Sequence, residues 1–199
     1  MYIPDHFAEH DHDTLTEAMA AIRLAAIVSV VDGLPLVTHA PVTLERLNDG
    51  LEIRTHFARA NDHWRRIADA SPTVAIFQGQ QGYVTPSWYP TKAETGKVVP
   101  TWNYIVVHAH GCLSAVDDEG WVLDQVSAMT RAMEAARPQP WAVSDAPERF
   151  TQAMLRGIVG IRMPVDQLEG KWKLSQNKSD ADRAGVRAGS AAEAAQHLA

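Results

Sequence analysis

Cysteine is almost missing from this chain. Cys112 stands alone among 199 residues, which excludes an internal disulfide and any zinc cluster built on thiolates. Its expected role is that of a small buried apolar residue. Long apolar runs are lacking as well. A membrane-spanning helix needs roughly 20 apolar residues, yet the best stretch, Leu24 to Val31, is broken by Ser29 and stops at Asp32-Gly33. Positive charge is in deficit: 18 Lys plus Arg face 24 Asp plus Glu, for a net charge of −6. That balance argues against a broad cationic surface for nonspecific DNA binding, while leaving room for a local basic patch. The start, Met1-Tyr2-Ile3-Pro4-Asp5-His6, has neither the basic region nor the apolar stretch of a secretory signal, so a cytoplasmic location is expected. No GxGxxG follows a strand, and there is no Walker loop, GxSxG or HExxH. Most enzyme templates fail on those absences.

What is there reads as strands with a few helices. Leu15, Met19 and Ile22 share a helical face over 14–22, with Thr14 and Glu17 as an expected capping box. Two strands, 25–31 and 34–44, flank an Asp32-Gly33 hairpin signal. A turn at Asn48-Asp49-Gly50 leads into 51–57, where Leu51, Ile53, Thr55 and Phe57 alternate with Glu52, Arg54 and His56. A helix is expected over 61–70, with Trp64, Ile67 and Ala68 on one side. Strands follow at 73–78 and 82–85, then an irregular stretch over 86–100 with three prolines. The strongest strand, 101–116, puts Trp102, Tyr104, Val106, His108 and His110 on one face. Helices over 119–136 and 146–156, a strand over 157–163 and an Ala-rich helical tail from about 179 complete the chain. With no internal repeat and no βαβ alternation, one antiparallel, mainly β domain over 1–199 with flanking helices is expected.

Several stretches can carry chemistry. Thr55-His56-Phe57-Ala58-Arg59-Ala60-Asn61 joins a strand to a helix start. Free amides plus the Arg59 guanidinium suit an anion there, unless Asn61 is only a cap and Arg59 a surface cation. Tyr83, Trp88, Tyr89, Trp102 and Tyr104 crowd a 22-residue window. Such aromatic walls suit a planar heterocycle, and equally a core or a dimer interface. Among nine histidines, His108 and His110 point one way from a strand, and His6, His10 and His12 cluster near the start. Either set is a metal pair in search of a third ligand, against the plainer reading of surface histidines. Residues 171–187 hold five basic and two acidic side chains around Lys171-Trp172-Lys173. Nucleic acid, an anionic cofactor and plain solvent are the options there.

Blocks spread along the chain resemble the PaiB family of FMN-binding negative transcriptional regulators. They are Met1-Tyr2-Ile3-Pro4 with His6-Phe7, Phe57-Ala58-Arg59-Ala60-Asn61, Phe77-Gln78-Gly79, and Tyr83 to Pro90. Further blocks are Lys97 to Tyr104, Val107-His108-Ala109-His110-Gly111, Arg137 to Val143 and Glu169 to Asn177. The resemblance implies a split β-barrel of the flavin reductase and pyridoxamine phosphate oxidase type, a homodimer with FMN between its subunits. It makes His56, Phe57, Ala58, Arg59, Asn61 and Trp64 the implied phosphate end of the site, with Arg59 and Asn61 standing where such barrels usually carry Ser or Thr and then Lys. Trp88, Trp102 and Asn103 become an implied ring or dimer surface. By analogy of position, His39, Ala40 and Pro41 run along the ring, while Lys171, Lys173 and Ser175 approach from the second subunit. The implied role is repression, with flavin or redox sensing, through DNA or a regulatory protein partner and without a membrane. The alternative is an FMN-dependent oxidoreductase in which His39, His56 or His108 titrates near neutrality.

Overall fold

The computed structural model describes residues 1–47, 50–67 and 71–196. In chain order the strands are β1 (Ala8–Glu9), β2 (Leu24–Val31), β3 (Leu34–Pro41), β4 (Thr43–Leu47), β5 (Gly50–Ala58), β6 (Ser71–Val84), β7 (Thr101–Val116) and β8 (Ile158–Lys173). The helices are α1 (His12–Ile22), α2 (His63–Arg66), α3 (Thr91–Thr95), α4 (Glu119–Glu134), α5 (Glu148–Leu155) and α6 (Asp180–Gln196). All eight strands form one antiparallel sheet ordered β3-β2-β6-β7-β8-β5-β4, with β1 on the free side of β8. The expected antiparallel, mainly β architecture with flanking helices is what the chain adopts.

The two ends of that strand order, β3 and β4, are consecutive in the chain and separated only by Val42. The sheet must therefore curl until its ends meet. Thr55 Oγ1 on β5 donates to the Pro41 carbonyl on β3 at 2.6 Å, tying the seam. Inside the curl, alternation supplies the core: Leu51, Ile53, Thr55 and Phe57 of β5 face Ala25, Ile27, Ala75, Phe77, Val107, Ala109, Val159, Ile161 and Met163. Leu15 and Met19 of α1 plug one end. Asp32 and Gly33 turn the β2–β3 hairpin with φ of 53° and 76°, the left-handed pair a two-residue hairpin requires.

Several local elements differ from the sequence expectation. The α1 cap is Asp11, whose carboxylate accepts from Thr14 N at 2.7 Å, so the helix begins before the expected Thr14–Glu17 box. The stretch over 34–44 breaks at Val42, whose N–H bonds the Arg23 carbonyl instead of a neighbouring strand. The two strands expected at 73–78 and 82–85 are one, continuous through an irregularity between Gln78 and Gln81. In the irregular 86–100 stretch the prolines set a single 3-10 turn, Pro86–Trp88, and then α3. Described α2 ends at Arg66; Asn48, Asp49, Ala68, Asp69 and Ala70 lie outside the described residues. β8 runs ten residues beyond the expected 157–163, because β7 and β1 pair with it on both sides. Cys112 is half-buried rather than buried.

Candidate functional site

The candidate residues gather in two places at opposite ends of β8. Ala58 of β5 pairs with Ile158, while Tyr104 of β7 pairs with Lys173.

At the first end, β3, β5 and α2 meet. Asn61 Nδ2 donates to Thr38 Oγ1 at 3.1 Å, and Asn61 Oδ1 accepts from His63 N at 2.9 Å, so Asn61 does cap the turn that opens α2. His63 is buried with both ring nitrogens engaged, Nδ1 with Thr38 Oγ1 at 2.9 Å and Nε2 with Ser29 Oγ at 3.0 Å. Burial pushes its pKa below the usual 6.5. Arg59 extends β5 toward α5, not into open space. It donates to both Asp117 carboxylate oxygens, at 2.6 and 3.2 Å, and to the carbonyls of Arg156 and Ile158 at 3.1 Å. The hydrogen bonds to Asp117 raise the Arg59 pKa and lower that of Asp117. Trp64 lies between two guanidiniums, Arg65 at 4.9 Å and Arg59 at 5.8 Å from its ring. Arg65 and Arg66 are exposed cations on this same turn, residues that the strand-to-helix spacing did not single out.

His39 is exposed on β3, beside the buried Ala40. Among the described residues β3 pairs with β2 alone, and on its other edge the Pro41 carbonyl accepts from Thr55 Oγ1. Phe57 is in the core, and His56 faces the other way, its Nδ1 2.9 Å from Gln125 Oε1 on α4. Glu52, on that same outer face, is buried rather than solvated, because α4 covers it and Arg54 Nε bonds it at 2.6 Å.

At the second end, Lys171 is buried with its ammonium between the rings of Tyr2 and Tyr104, at 5.5 and 5.4 Å, and donates to the Tyr2 carbonyl at 3.0 Å. Lys173 donates to Thr101 Oγ1 and to the Trp102 carbonyl. Ser175, in the left-handed region at φ 68°, donates to Asn103 Oδ1 at 3.0 Å, which holds the turn after β8 against β7. Trp102 is half-exposed and meets Tyr83 edge-on at 6.2 Å. Trp88 sits beside the second group: its indole packs on Gly189 of α6 and its carbonyl against Gly185, and with Tyr83 and Asn103 it lines one cavity. A Cβ on Gly189 would fall 2.3 Å from that ring.

Residues 1–167 match the family model described as "Putative FMN-binding domain". The chain belongs to this FMN-binding family. It is 29% identical over 182 residues, 92% of this chain and 85% of the relative, to the protein named "Protease synthase and sporulation protein PAI 2" of Bacillus subtilis, which bears out the PaiB resemblance. It is 34% identical to an uncharacterized protein of Aspergillus fumigatus, over 77% of this chain and 72% of that one. Among solved structures it is similar to the FAD and heme binding protein from Mycobacterium smegmatis, with TM-score 0.62, 17% identity, and 89% and 78% of the two chains covered. The flavocytochrome Anf3 from Azotobacter vinelandii gives TM-score 0.61 at 14% identity, covering 92% and 78%. These likenesses place the curled sheet with the split barrels.

FMN is the cofactor of the family, and the residues at hand suit it. Beside Asn61 the turn carries the cations Arg65 and Arg66, a chemistry that suits a phosphate. No helix of the described residues is long and apolar enough to cross a membrane.

Proposed function

We propose that the chain is a cytoplasmic FMN-binding homodimer of one domain, acting as a PaiB-like negative transcriptional regulator and sensing flavin or its redox state. One observation carries the dimer: the candidate residues sit at opposite ends of a sixteen-residue strand, so each chain holds two halves of different sites. A second copy brings Trp102, Asn103, Lys171, Lys173 and Ser175 to the His39–Pro41 and His56–Trp64 end of the first. In that pairing the backbone of His39, Ala40 and Pro41 orients the ring, Arg65 and Arg66 face the phosphate beside Asn61, Arg59 reaches it on giving up Asp117, and Trp102 covers the ring and excludes water. Bound FMN supplies reversible electron and hydride chemistry. The acidic chain lacks a helix-turn-helix, so repression runs through a regulatory protein partner rather than through direct DNA contact.

An FMN titration of the purified chain, with riboflavin as the phosphate-free control, tests the reading. FMN quenching with much weaker riboflavin binding is expected. Arg59→Ala should weaken FMN at least about tenfold, as loss of a hydrogen bond to a charged group does, and leave riboflavin unchanged. An unchanged constant in Arg59→Ala with a loss in Arg65→Ala or Arg66→Ala would move the phosphate to those cations. Failure of both flavins to bind would remove the reading. FMN-dependent oxidation of NADH or NADPH would favour the oxidoreductase instead, and sequence-specific gel shifts at physiological salt would restore direct DNA contact.

A further inference from the structure

His108 and His110 alternate with Val107 and Ala109, which are fully buried, so both imidazoles project from the outer face of β7. Their rings lie 6.2 Å apart. On sequence alone this is a pair without a third ligand. The register supplies one: Glu169 of β8 stands directly opposite His108. The irregularity after His110 then swings that ring toward the same carboxylate, and His110 Nε2 is 2.8 Å from Glu169 Oε2. The close approach at this irregularity requires Gly111, whose Cβ would meet the Pro164 carbonyl at 2.0 Å. One donor atom from each of the three side chains lies within 4.8 Å of the others, and all three residues are half-buried.

We propose that His108, His110 and Glu169 bind a borderline divalent transition-metal ion of the zinc class, with the remaining coordination positions open to water or a small ligand. Two imidazole nitrogens and one carboxylate oxygen suit zinc, iron, nickel or copper, and are poor for calcium or magnesium, which take oxygen ligands. Around a tetrahedral ion with bonds of about 2.1 Å, neighbouring donors stand about 3.4 Å apart. His110 Nε2 and Glu169 Oε2 stand 2.8 Å apart and all three donors lie within 4.8 Å of one another, close to the spacing such an ion needs.

The surroundings favour the charge states a metal needs. Burial holds His108 toward the neutral imidazole, against the opposing pull of Glu169. Hydrogen bonds from the Met1 amino group and from His110 keep Glu169 ionised. The Met1 amino group lies 2.9 Å from both Glu169 oxygens, so it can keep one of them and orient the carboxylate while the other turns to the ion. The next cation along β8, Lys171, is turned away to the Tyr2 carbonyl.

The test is a titration of the chelator-treated full chain with Co²⁺, read by its visible absorption, followed by displacement with Zn²⁺ in a calorimeter. One saturable ion per chain is expected. Glu169→Gln and His110→Gln should each weaken it by more than about a hundredfold, since even outer partners of a metal cost ten- to a hundredfold. The His10→Gln, His12→Gln double variant should leave the affinity unchanged. Histidine-selective ¹H–¹⁵N spectra of the unaltered chain need no variant: Zn²⁺ should shift two of the nine imidazoles. No saturable binding, shifts at other histidines, or full affinity in a folded Glu169→Gln would each overturn the site.

Discussion

At the scale of single residues, His63 is the group whose charge matters most to the fold. Protonation would add a hydrogen to a buried ring whose two nitrogens already face hydroxyls. Its folded pKa lies below 6.5, so the unfolded chain binds more protons in mild acid. The stability His63 lends is therefore complete above pH 6.5 and drains as pH falls below it, by up to about 1.4 kcal/mol per pH unit. Thermal midpoints from pH 7.5 down to 5 should drop more steeply for the natural chain than for His63→Gln, and equal slopes would remove this role. Nothing in the sequence singled His63 out, because its partners Thr38 and Ser29, and Thr73 behind Ser29, come from three strands distant along the chain. Asn61, by contrast, was legible as a cap, since that bond is local.

At the scale of elements, short-range patterns survived well and long-range ones did not. The β2–β3 hairpin, β5, β7, α1 and α4 all follow from periodicities contained within each segment. The outer half of β8, Pro164 to Lys173, has no alternation to read, and it is a strand because β1 and β7 supply its hydrogen bonds. Long-range packing also sets the place of Trp88, a candidate for an aromatic binding wall. It is the wedge under α6, where Gly185 and Gly189 leave the helix surface flat and Val186 is buried, while it lines a cavity with Tyr83 and Asn103. In an open helix, Gly→Ala would stabilise by about 1 kcal/mol. Here Gly185→Ala drives a methyl to 1.9 Å from the Trp88 carbonyl, so the sign reverses, with an expected loss of about 1–3 kcal/mol. Limited proteolysis should release the α6 segment faster from that variant, and unchanged protection would mean that the helix does not depend on this seat.

At the scale of the whole molecule, the outer face of the sheet is unusually apolar on one side. Ala26, Ile76, His108 and Glu169 form one cross-strand row with His39, and Val28, Val74 and His110 form the next with Val37. Beside them Val30 is 62% exposed and Val37 is 53% exposed. Burial of this β2–β3 part of the face, with the His108–Glu169 part left open, is what the proposed homodimer would gain. Light scattering coupled to gel filtration should give twice the chain mass. Val37→Lys with Val30→Lys should shift it to the monomer and weaken FMN in parallel; a monomeric natural chain that still binds FMN would end the dimer proposal. Half of this was readable beforehand. The residue types of both ends stood in the sequence, but only the pairing of β8 with β5 and β7 reveals that one chain keeps them apart.

That shared strand also sets the timetable of synthesis. β5 is complete at Ala58, yet its partner begins at Ile158, and β1 waits for Lys171. Nascent chain therefore leaves the ribosome with two half-sheets whose edges stay bare until residues 158–173 are made, when that single segment is laid between them. A message cut short before that point yields one chain with two sticky half-sheets rather than a smaller protein.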